Sequence, residues 1–564
     1  MEASSCFVPS PSFIGFRTSK DRPHVLSLQE FKRIISFSVC NQKQNYNEKL
    51  YIIPIRTISR FCISRSFAKS LELGGTGPQS DALLGYSAPD EDNRSNFDKE
   101  LEELFGEVKK MIKMGKKSDA IDLLNANYEM VKERLNAGTK GIEEAAILDI
   151  LALGYMAVGD LKSVGYLLNS LKEVVDTLKD DAPHLDSIVM HMGNMYATLN
   201  KFEESLNTYQ RAVYIVERIY GKDSTILVTP HLGMAKALGS IGKATKAVEI
   251  YQHVITLLES NRGAESKDLV VPLLSLGNLL LKEGRANDAE SRFSRVLNIY
   301  TKVYGENDGR IGMAMSSLAQ VKCALGKTDE AIHLFKRALK VMKDSNYMSP
   351  DNSIMEKMRV DLAELLHTSG RGQKGREILE ECLLITERYK GKEHPSLATH
   401  MINLATSYTR SKNYAEAEHL LRRSLQIMIK HNGTDDQSIS FPMLQLAATL
   451  YHLKNDEEAE KLALEVLRIR EKAFGDYSLP VGEALDCLVS IQARLGKDDS
   501  ELLELLRRIL IIQEKGFGHE SEQVLLTLKK IVYYLDKLGR KDEKLPLQRR
   551  LSVLRKKYKH MIHQ

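Results

Sequence analysis

HPSLATHMINLATSYTRSKNYAEAEHLLRRSLQIMI, residues 394–429, decides the fold. Leu397, Met401, Leu404 and Tyr408 recur at spacings of three and four, the buried stripe of one amphipathic helix. Tyr414-Ala415-Glu416-Ala417-Glu418 opens a second, whose stripe continues through Leu420, Leu421, Leu425 and Met428. Lys412-Asn413 turns the chain between them. Ala405 and Ala417 are small where the two helices must approach most closely, and a bulky side chain at either place costs roughly 1–3 kcal/mol. Outward from this unit the pattern repeats about every 42 residues. The first small residue returns at Gly193, Ala235, Gly277, Ala319, Ala363, Ala405 and Ala447. The second trails each by twelve, at Ser205, Ala247, Ala289, Ala331, Gly375, Ala417 and Ala459. Gly115 with Ala120 and Gly159 with Val164 add two units upstream; Gly496 with Glu501 and Gly539 with Lys544 add two downstream. Self-similarity at this period means stacked helical hairpins. The expected fold is all-α, a right-handed superhelical solenoid of about eleven helix-turn-helix repeats over 98–545, with a basic capping helix over 546–564. The recurring loop, as in Tyr220-Gly221-Lys222-Asp223 and Tyr304-Gly305-Glu306-Asn307, gives Gly the left-handed residue that ends a helix, with Asp or Ser capping the next.

A solenoid escapes the size limit of a single core, so 564 residues need no division into ordinary domains. No run approaches the ~18 uncharged apolar residues that span a bilayer. The net charge of +5 is unevenly spread. Residues 1–70 hold 11 Lys and Arg against 4 Asp and Glu, leaving 69 basic and 71 acidic residues in the body. Such a body has no strong field for nucleic acid or anionic membranes. The six cysteines form no CxxC pair, which implies neither zinc nor a disulfide framework; Cys323, Cys382 and Cys487 read as small buried hydrophobes.

The first seventy residues carry twelve serines, dispersed arginines such as Arg17, Arg33 and Arg60, few acids and none of the repeat register. That is the composition of an organelle transit peptide. Serine content and the uncharged opening after Glu2 favour the chloroplast; Arg65-Ser66-Phe67-Ala68 resembles a mitochondrial processing site, which keeps the mitochondrion as the alternative. Residues 71–97 read as a flexible acidic linker (Gly74-Gly75-Thr76-Gly77-Pro78, Asp90-Glu91-Asp92).

The unit at 394–429, with its Gly-x-x-His-Pro lead at Gly391 to Pro395 and its Asn403-Leu404-Ala405 core, resembles the tetratricopeptide repeat. In this 42-residue form it is similar to kinesin light chain and nephrocystin-like proteins, here of a plant-organelle type. The resemblance covers about four-fifths of the chain and implies first helices lining a concave groove for peptides, and binding of partner proteins as the function. Its groove asparagines map onto Asn194 and Asn278, each following the small Gly, and onto Asn403, two before it. Gln320, Thr406, Arg410 and His367 occupy adjacent groove positions. The lysine and arginine of the chaperone-tail clamp are not reproduced. Kinesin light chains precede their repeats with a heptad coiled coil, which 71–97 lacks.

No Walker loop, GxSxG or HExxH occurs, so no catalytic residue, metal or cofactor is expected. The histidines, His191, His231, His367 and His452 among them, fall singly and read as surface or groove residues. The leading expectation is a non-enzymatic scaffold supporting assembly or maintenance of a plastid complex. The alternatives are a cytosolic kinesin light chain-like cargo adaptor and an RNA-binding helical-repeat protein; for the latter the 42-residue period and the absence of a recurring base-reading pair are unfavourable. Ten Lys and Arg between Lys537 and Lys559 also offer a peripheral membrane or RNA contact, beside the plainer reading of a solvated face.

Overall fold

A computed structural model describes residues 96–138 and 140–562. The transit peptide expected over 1–70 and linker residues 71–95 lie outside them. The described chain is helical throughout, in eleven hairpins. They pair α1 (Asn96–Lys113) with α2 (Lys117–Asn136), α3 (Ile142–Val158) with α4 (Leu161–Val175), α5 (Leu185–Thr198) with α6 (Phe202–Tyr220), and α7 (Val228–Ile241) with α8 (Ala244–Arg262). Then come α9 (Val270–Lys282) with α10 (Ala286–Tyr304), α11 (Gly309–Ala324) with α12 (Thr328–Asp344), and α13 (Ser353–Thr368) with α14 (Gly372–Lys390). The last four pair α15 (Pro395–Arg410) with α16 (Tyr414–Asn432), α17 (Ser440–His452) with α18 (Asp456–Phe474), α19 (Leu479–Arg494) with α20 (Asp499–Phe517), and α21 (Glu522–Lys537) with α22 (Lys541–Ile562). The basic stretch expected as a separate helix from 546 belongs to α22, which runs through Pro546 without a break.

The described residues fall into two compact units, 96–349 and 350–562. The division follows the one long spacing between first anchors, from Ala319 to Ala363, where two extra residues enter the 345–352 connection. Inside each unit a second helix packs on its own first helix and on the first helix of the next hairpin. First helices also touch successively, α3 on α5, α5 on α7 and α7 on α9 in one unit and α17 on α19 in the other. Successive second helices are bridged by long ion-paired side chains, Arg295 to Glu259, Arg423 to Glu387, Arg508 to Glu471 and Arg550 to Glu514. The first helices therefore lie on the inner curve of each stack. Each surface pair contributes only about 0–1 kcal/mol, so these rungs set register more than stability. The same ladder absorbs part of the basic C-terminus, since Arg550 and Lys557 of α22 reach Glu514 and Glu520.

Two glycine turns do different work. Inside a hairpin the turn is left-handed, as at Gly242 (φ 91°, ψ 8°), and Asn200, Lys412 and Lys454 adopt the same positive φ. Between hairpins Gly221 and Gly391 sit at φ 84° and 91° with ψ near 164° and 168°, outside the left-handed well expected from sequence. Only glycine reaches that region freely, which is why Gly263, Gly305, Gly433, Gly475 and Gly518 recur there. Three residues on, a side chain caps the next helix: Ser224, Ser266, Asp308 and Asp436 each accept a backbone N–H two positions ahead.

In α15 the cap is His394, whose Nδ1 accepts from the Ser396 N–H at 3.1 Å, with Pro395 at the first helical position. Burial, Lys390 and His431 hold this imidazole below its ordinary pKa, so the neutral, accepting form is favoured. The cap is complete above pH 6.5 and is lost as pH falls through the depressed value. A cap is worth roughly 0.5–2 kcal/mol. Protection of the Ser396 amide against hydrogen exchange, relative to its intrinsic rate, is expected to fall in acid, and His394→Asp to keep that protection down to the lower range of an aspartate.

Candidate functional site

The inner face is built from its seats upward. Sixteen residues after each first anchor of the 96–349 unit stands a large ring on the second helix, at Tyr209, Tyr251, Phe293 and Phe335. All four are buried, each worth about 1.5–3 kcal/mol. Glycine makes room for two of them. A β-carbon on Gly193 would stand 2.9 Å from Tyr209 Cζ, and one on Gly277 would stand 2.8 Å from Phe293 Cε2. Tyr209 also abuts the next hairpin, where a β-carbon on Gly233 of α7 would collide with its ring tip. The two anchors meet directly: Ser205 Oγ donates to the Gly193 carbonyl at 2.8 Å, and a β-carbon on Gly375 would lie 2.7 Å from the Ala363 carbonyl oxygen. In the 350–562 unit the ring position carries Leu379, Leu421 and Ala463 instead. Sequence reasoning found the small residues and missed the rings that require them; the constant offset of sixteen is the signal.

These seats fix which side of each first helix faces the inner curve. One residue after the anchor, helices α5, α7, α9 and α11 carry Asn194, Lys236, Asn278 and Gln320 in a single register, Asn278 exposed and the other three half-buried. None of these four side chains has a hydrogen-bond or ion-pair partner among the described residues. Burial alone lowers the Lys236 pKa, since no carboxylate stands close enough to oppose it. Sequence reasoning passed over Lys236, although it stands between the two predicted asparagines at 42-residue spacing.

The predicted residues of the other unit are differently occupied. Asn403 of α15 is half-buried and its amide is unpartnered among the described residues. Thr406 Oγ1 donates to the Ile402 carbonyl at 2.9 Å and accepts from Gln445 Nε2 at 3.1 Å. Arg410 forks onto Glu364 of α13 at 2.9 and 3.1 Å. His367 is half-buried, and its ring packs over Gly372 and Gly375 in its own hairpin, 3.0 Å from where a Gly375 β-carbon would be. Burial and the neighbouring Arg410 and Arg376 hold His367 below its usual pKa, so it is a neutral packing group. The residues assigned by register thus split, with Asn194, Asn278 and Gln320 presented together and Thr406 and Arg410 spent on neighbouring repeats.

The remaining single histidines are also structural. His191 is 6% exposed, and its Nδ1 lies 2.7 Å from Asp149 Oδ2, one repeat upstream on α3. Burial alone would discharge His191, but the Asp149 carboxylate holds it above its ordinary value, and burial in turn pushes Asp149 up. His231 Nδ1 contacts the Leu227 carbonyl at 2.8 Å, and His452 stacks on Tyr414 with centroids 4.5 Å apart. Among the described residues no group of three His, Cys, Asp or Glu could hold a metal ion, and no helix is long and apolar enough to cross a membrane. Among the described residues Cys323, Cys382 and Cys487 form no disulfide, and burial pushes the thiols of the last two up to about 12.

A family model described as the MalT-like TPR region matches residues 171–473. No curated protein matches the sequence. Among solved structures, a putative kinesin light chain of Podosopora anserina with nearly identical TPR-like repeats is 21% identical, covering 36% of this chain and 96% of its own, with a TM-score of 0.33. BtubC from P. vanneervenii is 22% identical over 42% of this chain and 91% of its own, with a TM-score of 0.35. The quorum sensor NprR from B. thuringiensis is 11% identical over 66% of this chain and 99% of its own, with a TM-score of 0.42.

Proposed function

We propose that this chain, which belongs to the tetratricopeptide-repeat proteins with a MalT-like TPR region, is a non-enzymatic scaffold that captures partner proteins on the inner face of its 96–349 unit. The single observation that carries this reading is the register of Asn194, Asn278 and Gln320. Three carboxamides, each able to donate and accept, stand one repeat apart or at multiples of it on buried helices, with no internal partner among the described residues. A peptide backbone offers the same amide chemistry at regular intervals, and an extended segment laid across successive first helices satisfies both sides. Compartment and purpose are part of the proposal: the serine-rich, acid-poor leader favours import into the chloroplast, where the scaffold supports assembly or maintenance of a complex.

The test is a C-terminally tagged copy expressed in its own cells, with the N-terminus of the mature protein sequenced and co-purifying proteins quantified. Cleavage near residues 60–75 with a plastid signal is expected. Each groove amide whose bond is lost costs about 0.5–1.5 kcal/mol, so Asn194→Ala with Asn278→Ala is expected to reduce specific capture roughly tenfold or more. Adding Asn403→Ala, in the other unit, is expected to change little. Unchanged capture in the double variant removes the groove from consideration, and an intact Met1 with a cytosolic signal replaces the plastid scaffold by the cargo-adaptor reading.

A further inference from the structure

We infer that the inner face of α5, α7, α9 and α11 selects an extended acidic polypeptide segment, with one aspartate or glutamate side chain of that segment set against Lys236. The inference rests on the groove reading above and adds the chemistry of the occupant.

Lys236 occupies the register held by asparagine one repeat before and one repeat after it. The residue is half-buried, its ammonium has no ion-pair partner among the described residues, and burial disfavours its charged form. Two other partly buried cations of this unit are paired. Lys322 is shared by Glu290 and Glu330 at 2.6 and 2.5 Å, and Arg211 is shared by Asp176 and Asp180 at 3.4 and 3.1 Å. In the same register of the 350–562 unit the one charge is answered, since Glu364 holds Arg410, and Thr406 accepts from Gln445. Among the rungs of this register in the two units, the one at Lys236 leaves a charge unanswered.

The arrangement also chooses between kinds of anion. A nucleic acid or a lipid surface presents many negative charges and is met by a run of cations. Here one cation is flanked by neutral amides, which match the backbone of a polypeptide on either side of a single carboxylate. A carboxylate brought to Lys236 gives the ammonium a partner at a depth where water screens the pair less than at an open surface.

An array of immobilised random peptides probed with the full-length chain tests this at low and physiological salt. Peptides bound by the native chain are expected to be enriched in Asp or Glu at one position relative to the rest. Lys236→Met, with its melting curve checked, is expected to lose the acidic enrichment while still binding. Lys236→Glu is expected to favour Lys or Arg there, shifting relative affinity for acidic peptides by about tenfold at low salt and less as salt screens the pair. Asn278→Ala is expected to weaken all bound peptides whatever their charge. If native binding is lost in Asn278→Ala yet shows no acidic preference, or Lys236→Glu leaves that preference unchanged, the Lys236 assignment is overturned and the groove stands. If binding is indifferent to Asn278 and Asn194, or no peptide binds, both fall together.

Discussion

Replacing His191 with leucine is expected to destabilise the 96–349 unit by about 3–5 kcal/mol, the cost of leaving a buried charge without its partner. Asp149 is 2% exposed on α3 and its Oδ2 depends on His191 Nδ1 across the α3–α5 contact, while Oδ1 already lacks a partner. With the imidazole gone, the carboxyl must either stay charged in an apolar surround or take up a proton. The double variant Asp149→Leu with His191→Leu removes both charges and is expected to recover most of the loss, because two apolar groups of similar volume need no pairing. The pair also leaves a pH signature. His191 is held above its unfolded value near 6.5, so the folded chain binds more protons than the unfolded one above that pH. Its contribution is fully present below pH 6.5 and declines as pH rises through the raised value, while Asp186, the other acid facing the ring, adds in the same direction. Urea unfolding followed at α3 and α5 by hydrogen exchange, at pH 6 and pH 9, measures both effects. A His191→Leu variant with native midpoints at both would show that the pair contributes nothing.

What one hairpin's sequence encodes, sequence reading recovers. Ala405 and Ala417, Gly193 and Ser205 lie twelve residues apart on the same hairpin, and periodicity alone placed them at the closest approach of its helices. Interactions between hairpins were not legible in this way, because their partners are a whole repeat away. Asp149 meets His191 at a separation of 42, Thr406 meets Gln445 at 39 and Arg410 meets Glu364 at 46. A register argument says that Arg410 faces the inner curve; it does not say that a neighbour's glutamate is there to hold it. Lys236 was missed for the converse reason. It breaks an asparagine pattern, and its importance lies in the carboxylate that no neighbouring repeat supplies. Nor did the register of His367 show that its ring packs over Gly372 and Gly375, which have no side chain to keep it away.

The seat of Tyr209 gives the second large effect, and a control that reverses its sign. Gly233 and Gly239 lie on the same helix, α7, both with ordinary helical backbone. Taken as helix residues alone, either glycine changed to alanine would gain roughly 0.5–1 kcal/mol. At Gly239 the new β-carbon meets only the Leu279 side-chain tip, at 3.3 Å, so Gly239→Ala is expected to stabilise. At Gly233 it meets the stiff end of an aromatic ring whose Cε1 and Cζ are also packed closely against Gly193, which leaves little room to retreat. Overpacking there costs about 1–3 kcal/mol for a methyl, exceeding the helical gain, and more for Gly233→Leu. Trimming the ring should reverse the result. In a Tyr209→Leu background the collision is removed, and Gly233→Ala is expected to become neutral or stabilising although Tyr209→Leu itself destabilises. Four melting curves close this cycle, and a coupling of at least about 1 kcal/mol is the expected reading for two groups in direct contact. Equal shifts for Gly233→Ala and Gly239→Ala would mean that the ring yields. The small residue in the repeat would then reflect helix packing in general and not the seating of one large ring between two hairpins.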